Sequence, residues 1–390
     1  MAFPLTVFAA TRLFAGLVTS AAAVDQRAFP NPESPGVHAE TPIPANPGYW
    51  AATTNWDGQW YWTIAEHGYP EELPLGAGGA VERSPWAFYP LYPMLVRLVM
   101  AITRLPFEYA APGVSMLAGA VGVALLHTLL LRLTGTFVAR ATTAAVCCYA
   151  SAPVLQYAYP ESLALLLLVG ALSALAARRW ALFLALAVLL ALTRPVVVAL
   201  AVALVAAALL PWPGERRIPA ADRRRWLLLG VAVGLTSLLW PAIAAVRTGR
   251  WDAYLVTARA WTTQNGGIVP GIGVLSERFG PITAPAFALF ALAVLAMALR
   301  PGAAAWGVPL RAWAVGYPAY LVGMTVPGAS HPRYWLLSLV WLWPFPDALR
   351  TDSSTLRVLR RVLLGVVVVG GLAAQVWWIR DFWIPHRFTP

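Results

Sequence analysis

The sequence contains no lysine: all 28 basic residues among its 390 positions are arginine. That absence points to a GC-rich coding bias rather than to a need for guanidinium chemistry at every position. Charge of either sign is also scarce. Charged residues make up 12% of the chain and hydrophobic ones 59%, with a mean hydropathy of +0.65, whereas a soluble domain is typically about 25% charged. The deficit excludes a soluble nucleotide-binding or barrel enzyme and reads as a polytopic membrane protein. The 2 cysteines, Cys147 and Cys148, are adjacent within an apolar run, which excludes a disulfide framework and a metal-ligand spacing. The 5 histidines, His38, His67, His127, His331 and His386, form no H-x-x-x-H or His/Cys cluster. A net charge of +11 would suggest nucleic acid in a soluble chain. Here cytoplasmic loops account for it, because they retain positive charge during insertion, and no nucleic-acid partner is expected.

What is present is apolar sequence in long runs. After a first run over 4–24, others lie at 110–131, 138–157, 162–177, 180–193, 196–211, 226–246, 282–299, 309–326, 333–349 and 362–379. At about 20 residues per crossing, they predict an all-α polytopic membrane protein of about 11 transmembrane helices, a single integral membrane domain over 1–390. The first run ends in small residues like a signal peptide, but it lacks a basic leader and carries Arg12, so it is expected to stay as an uncleaved span. The parity of everything downstream rests on 86–104, which Pro90, Pro93 and Arg97 interrupt. Taken as an interfacial segment, it puts Arg132, Arg140, Arg178, Arg179, the run 215–225, Arg300 and the run 350–361 in the cytoplasm. Nearly all acidic residues then fall outside. The N-terminus is expected in the cytoplasm and the C-terminus outside, with a large external loop over 25–109. Within that loop, six prolines make 29–49 an extended connector, and the aromatic-rich stretch 50–104 reads as short amphipathic helices on the membrane.

The stretch NWDGQWYWTIAEHGY at 55–69 carries the most chemistry. At helical spacing Trp56, Trp60, Thr63 and His67 form one stripe, with Asp57, Tyr61 and Ala65 alongside. The residues leave two readings open. Asp57 is an N-terminal cap of an interfacial helix whose tryptophans sit at headgroup level, or it is a carboxylate held among aromatics as a general base. Glu161, after Pro160, similarly caps a helix at the positive end of its dipole or belongs to a site. Arg194 and Arg333 snorkel to headgroups or bind a phosphate, with His331 and Tyr334 as polar neighbours of Arg333. Trp56, Trp60 and Tyr61 are candidate substrate contacts, and Trp86 is a further candidate for sugar stacking. Gly266, Gly267, Gly271 and Gly273 mark a flexible external loop or a turn that admits backbone close to a phosphate.

Read together, WDGQWYWTIAEHGY at 56–69, WAFYPLYPMLVRL at 86–98, YAYPESLALLLL at 157–168 and ALTRPV at 191–196 resemble the bacterial branch of the PIG-V-type mannosyltransferases. These belong to the GT-C superfamily of membrane glycosyltransferases. The resemblance covers roughly the first 210 residues and thins afterwards to features such as His331-Pro332-Arg333-Tyr334. It implies a GT-C-like fold, with GT-C-type helices over 110–211 and variable helices over 212–390. The activity it implies is transfer of a sugar, typically mannose, from a polyprenyl-phosphate donor to a lipid-linked or protein acceptor on the outer face of a bacterial plasma membrane. An acid of the first external loop, here Asp57, is implied as the catalytic residue, and Glu161, Arg194, His331, Arg333, Tyr334, Trp56, Trp60 and Tyr61 are expected to line the substrate. The family's ESLF becomes ESLA at Ala164, which alters the packing below the acid.

Elementary chemistry agrees with the implied reaction. A polyprenyl phosphate is a good leaving group, so inverting transfer requires one base for the acceptor hydroxyl and cations for the departing phosphate. The residues assign no cofactor with certainty, and a divalent cation, Mg or Mn, would suit the oxygen ligands of Asp57 with Glu161. Membrane lipids are the remaining expected partners. A lipid-linked-sugar flippase or secondary transporter is the competing class, and it would show internal repeats and charges at mid-membrane depth. Neither is evident. A third class is a non-catalytic partner in envelope assembly.

Overall fold

A computed structural model describes residues 2–28, 40–76, 78–215, 218–261, 276, 280–325, 330–346 and 354–384. The connector prolines at 30, 32 and 35 and the glycines 266, 267, 271 and 273 lie outside the described residues. Among those described the secondary structure is helical, apart from one isolated bridge between Leu75 and Val81. Among the described residues five helical segments are long and apolar enough to cross a membrane: Ala2–Ala23, Phe107–Thr134, Ala220–Thr248, Gly280–Leu299 and Ser354–Trp383. By length and composition this is an integral membrane protein.

Of the eleven apolar runs, five fall in these segments, and the others fall short for local reasons. Thr136–Cys148 and Val197–Leu209 have 13 residues each and Trp180–Ala191 has 12. At 1.5 Å per residue such helices reach about 20 Å, against a hydrocarbon core of about 30 Å. Pro195 separates the two runs on either side of it. Over its described residues the run at 333–349 holds the short helix His331–Trp335 and a 3-10 stretch, Leu336–Leu342, broken at Leu339 where φ is 53°. Leu91–Thr103, within the run that sets the parity, is a helix of 13 residues.

The chain divides into two compact units. One comprises residues 1–65, 92–170 and 328–390. In it Pro106 opens the 28-residue helix Phe107–Thr134, and Gly135, at φ 90°, lets the chain turn into Thr136–Cys148. Gly119 and Gly122 allow close helix approach: a Cβ on Gly122 would stand 3.1 Å from the Leu166 amide nitrogen, and one on Gly119 3.0 Å from Ser162 Oγ. Thr136–Cys148 stops where Tyr149 leaves the helical region. The carbonyls freed there are not left bare. Arg12, buried in Ala2–Ala23, donates to the carbonyls of Ala152 and Cys147, and Gln375 donates to those of Cys147 and Tyr149. The chain then passes through the 3-10 turn Ala152–Gln156 and reaches Glu161.

The other unit comprises residues 66–91 and 171–327. Val197–Leu209 is its centre and packs on Ala220–Thr236 and on Gly307–Met324. Arg311, with a side chain 0% exposed, ties this unit together. It donates to the carbonyls of Ala298, Pro213 and Arg300 at 2.7, 3.0 and 3.2 Å. Trp86 and Trp240 stack at 5.1 Å in an aromatic cluster with Tyr69 and Tyr89. Both indole N–H groups donate to backbone carbonyls, of Pro70 and Trp86 respectively. With its faces and its N–H occupied, Trp86 acts as core rather than as an open stacking platform.

Candidate active site

Within the first unit the chain must turn sharply before the helix Asp57–His67 can start. Trp56 makes the turn in the left-handed region, at φ 61°, a conformation that costs a non-glycine residue on the order of 1 kcal/mol or more. Its indole compensates by donating to the Trp383 carbonyl at 2.8 Å, and the Trp383 indole donates to the Ala52 carbonyl at 2.7 Å. The Asp57 amide donates to the Tyr159 hydroxyl at 2.9 Å, and that hydroxyl donates to the Asn55 carbonyl at 3.2 Å. The turn is thus held on both sides.

The Asp57 carboxylate faces Arg333. Arg333 Nη1 donates to Asp57 Oδ2 at 3.0 Å and stands 3.6 Å from Glu161 Oε1. Nη2 donates to Ser330 Oγ at 2.8 Å, and the guanidinium lies over the Tyr159 ring at 4.8 Å, with the Tyr334 ring at 5.9 Å. Exposure differs sharply across the cluster. The side chains of Glu161 and Arg333 are 0% and 4% exposed, and that of Asp57 is 24% exposed, so Asp57 is the member that a hydroxyl can reach. Burial works against the Arg333 charge, but Asp57 first, then Tyr159 and Glu161, outweigh it and hold the guanidinium more firmly protonated than usual. Burial, reinforced by the neighbouring Asp57 carboxylate, raises the Tyr159 phenol well above its ordinary range and keeps it neutral.

Three segments far apart in sequence therefore converge: Asp57, Glu161 and Arg333, with Tyr334 beside them. Glu161 is also the first residue of its helix, Glu161–Ala176, so the dipole and the arginine stabilise the same carboxylate. Tyr61 packs edge-on to Tyr159 and Tyr92, at 6.2 and 5.4 Å. His331 lies 5.8 Å from the Tyr334 ring. Trp56 and Trp60 are 1% and 6% exposed, so the rings expected to contact a sugar are largely covered by protein. Arg194 belongs to the other unit, where its amide donates to the Leu190 carbonyl at 3.0 Å. Nη1 of Arg333 spends one N–H on Asp57 and keeps a second, so contact with a phosphate oxygen does not require release of the carboxylate.

Sequence reasoning overlooked Tyr159, Ser330 and Trp383. Tyr159 stood two residues before Glu161 inside YAYPES, a signal that was available. Trp383 had none, because its partner Trp56 is 327 residues away. The expectation of a divalent cation between Asp57 and Glu161 meets a chemical obstacle. A positively charged nitrogen already contacts both carboxylates there, and the described residues contain no group of three or more His, Cys, Asp or Glu side chains suited to a metal.

No family model matches the sequence, and no curated protein matches it. Among solved structures the chain is similar to the Archaeoglobus fulgidus oligosaccharyltransferase in complex with Zn and sulfate. The identity is 13% and the TM-score 0.47, over 97% of this chain and 53% of that one. It is also similar to oligosaccharyltransferase AglB from Archaeoglobus fulgidus, in complex with an inhibitory peptide and a dolichol-phosphate. There the identity is 12% and the TM-score 0.47, over 98% of this chain and 56% of that one. The apo form of the Archaeoglobus fulgidus oligosaccharyltransferase gives 12% identity and a TM-score of 0.46, over 96% and 56%. This chain spans about half the length of the solved structures it matches.

Proposed function

We propose that this chain is a membrane glycosyltransferase of the GT-C type, transferring a sugar from a polyprenyl-phosphate donor to an acceptor hydroxyl with inversion. The sugar is mannose on the motif resemblance, the acceptor is lipid-linked or protein, and the reaction runs on the extracytoplasmic face of a bacterial plasma membrane. The observation that carries the reading is the cluster in which a partly exposed carboxylate, Asp57, is held by the buried Arg333 and backed by the buried Glu161. The acceptor oxygen attacks the anomeric carbon on the face opposite the phosphate. The new C–O bond forms as the bond to the phosphate oxygen breaks, and the electron pair leaves with the polyprenyl phosphate. Asp57 takes the acceptor proton. Asp57 Oδ2 is fixed by Arg333, which leaves the rest of the carboxylate to meet the incoming hydroxyl. Arg194 and Arg333 are the proposed cations for the donor phosphate, Arg333 through an N–H that the Asp57 carboxylate leaves unused.

The test is transfer from radiolabelled polyprenyl-phosphate-mannose by the purified chain. Asp57→Asn keeps size and hydrogen bonding while removing basicity, and should lower turnover by about 100-fold to 10,000-fold with donor binding retained. Wild-type turnover in Asp57→Asn with an inactive Glu161→Gln would move the base to Glu161. Full activity in both would refute the mechanism, and binding of donor without transfer by the unmodified chain would favour a flippase or a non-catalytic partner.

A further inference from the structure

Tyr159 touches both halves of the Asp57–Arg333 pair through different chemistry. Its hydroxyl accepts from the Asp57 amide at 2.9 Å and donates to the Asn55 carbonyl at 3.2 Å, on the two sides of the strained Trp56. Its ring lies under the Arg333 guanidinium at 4.8 Å. The residue is itself fixed. It is fully buried, its carbonyl accepts from Ser115 Oγ at 3.0 Å, its ring meets Trp383 edge-on at 4.9 Å, and the chain runs directly from it through Pro160 to Glu161. A buried phenol is expensive unless its oxygen is satisfied. Here, among the described residues, the oxygen is satisfied by the two backbone groups that flank the start of the Asp57 helix.

We propose that Tyr159 is a positioning residue for the proposed transfer reaction. Its hydroxyl sets the origin of the helix Asp57–His67, its ring face sets the depth of the Arg333 guanidinium, and together they fix the angle at which the Asp57 carboxylate meets an acceptor. This rests on the reading of Asp57 as the base. A phenylalanine there keeps the ring and the cation–π contact but frees the turn. A leucine loses both. Because misplacement of a reacting group by about 1 Å costs on the order of 100-fold in rate, the loss of one hydrogen-bonded anchor belongs in catalysis rather than in donor affinity.

The experiment uses the full purified chain with polyprenyl-phosphate-mannose as donor. Tyr159→Phe should lower kcat about tenfold and leave the donor KM within about twofold, and Tyr159→Leu should lower kcat further. In the Asp57→Asn background, Tyr159→Phe should add no loss to the residual rate, because the hydroxyl acts through Asp57. Wild-type kcat in Tyr159→Phe, with Asp57→Asn inactive, overturns the proposal and leaves the base reading standing. An equal loss in both backgrounds, or a raised KM at unchanged kcat, also overturns it, since general packing would behave that way. Wild-type turnover in Asp57→Asn overturns the base reading and the proposal together, and that variant alone identifies the case. Should Tyr159→Phe fail to fold, 3-fluorotyrosine at position 159 keeps the ring and weakens the hydroxyl as an acceptor. An unchanged kcat with that residue overturns the proposal.

Discussion

Removing the Arg333 guanidinium should cost the folded chain far more than removing either carboxylate charge it serves, and the differences in exposure give the size of the effect. Glu161 is 0% exposed and Asp57 24% exposed. Arg333→Met therefore strips the nearby cation from a carboxylate that water cannot reach, whereas Glu161→Gln leaves Arg333 still paired with Asp57. Breaking a buried pair from one side typically costs about 3–5 kcal/mol, and a pair open to solvent contributes about 1 kcal/mol or less. Arg333→Met should thus destabilise by about 3 kcal/mol or more, and Glu161→Gln by about 1 kcal/mol. Combining them removes the stranded charge together with its partner, so the double variant should recover about 2 kcal/mol relative to Arg333→Met alone. Thermal unfolding of the four proteins in one detergent, followed by tryptophan fluorescence, reads the cycle. The expected order of stability is wild type, Glu161→Gln, the double variant, then Arg333→Met. If the two single effects simply add, the guanidinium and the buried carboxylate do not form one electrostatic unit, and the account of how Asp57 is held fails.

Two further outcomes are expected. Arg194→Ala should weaken donor binding as well as slow turnover, as loss of a planar fork that contacts phosphate oxygens would; unchanged donor affinity, measured with radiolabelled donor, would reassign Arg194 to headgroup snorkelling. Single cysteines at Ala45 and Ala220 should be labelled by a membrane-impermeant reagent from opposite sides of intact membranes, and labelling of both from outside would refute the arginine-based topology.

The three charged members of the cluster were readable in the sequence because each breaks a local pattern. Asp57 stands in an aromatic stripe, Glu161 at the start of an apolar run, and Arg333 within one. Their mutual pairing was not readable, since Arg333 and Asp57 are 276 positions apart and no local periodicity records such a contact. The same limit applies to the spans. A hydropathy window registers that 138–157 is apolar, but not that the helix ends at Cys148. That ending depends on Arg12 and Gln375 reaching the freed carbonyls from 135 and 228 positions away along the chain. The tryptophans were misleading in the opposite direction. Sugar stacking and core packing call for the same residue, and only burial separates them: Trp56, 1% exposed, is spent on holding the turn that presents Asp57.

The hydrogen bonds of Arg12 also impose an order on biosynthesis. Arg12 lies near the middle of Ala2–Ala23, and a charged residue in mid-helix raises the insertion free energy by about 2.5–3.5 kcal/mol. The carbonyl of Ala152 is 140 residues downstream. At a synthesis rate of about 5–20 residues per second, the ribosome takes on the order of ten seconds to reach it. Throughout that interval the helix Ala2–Ala23 carries its arginine without these carbonyl partners. The broken end of Thr136–Cys148 brings those partners with it. The arginine that makes this helix hard to insert alone is then the group that draws the later helix to its place.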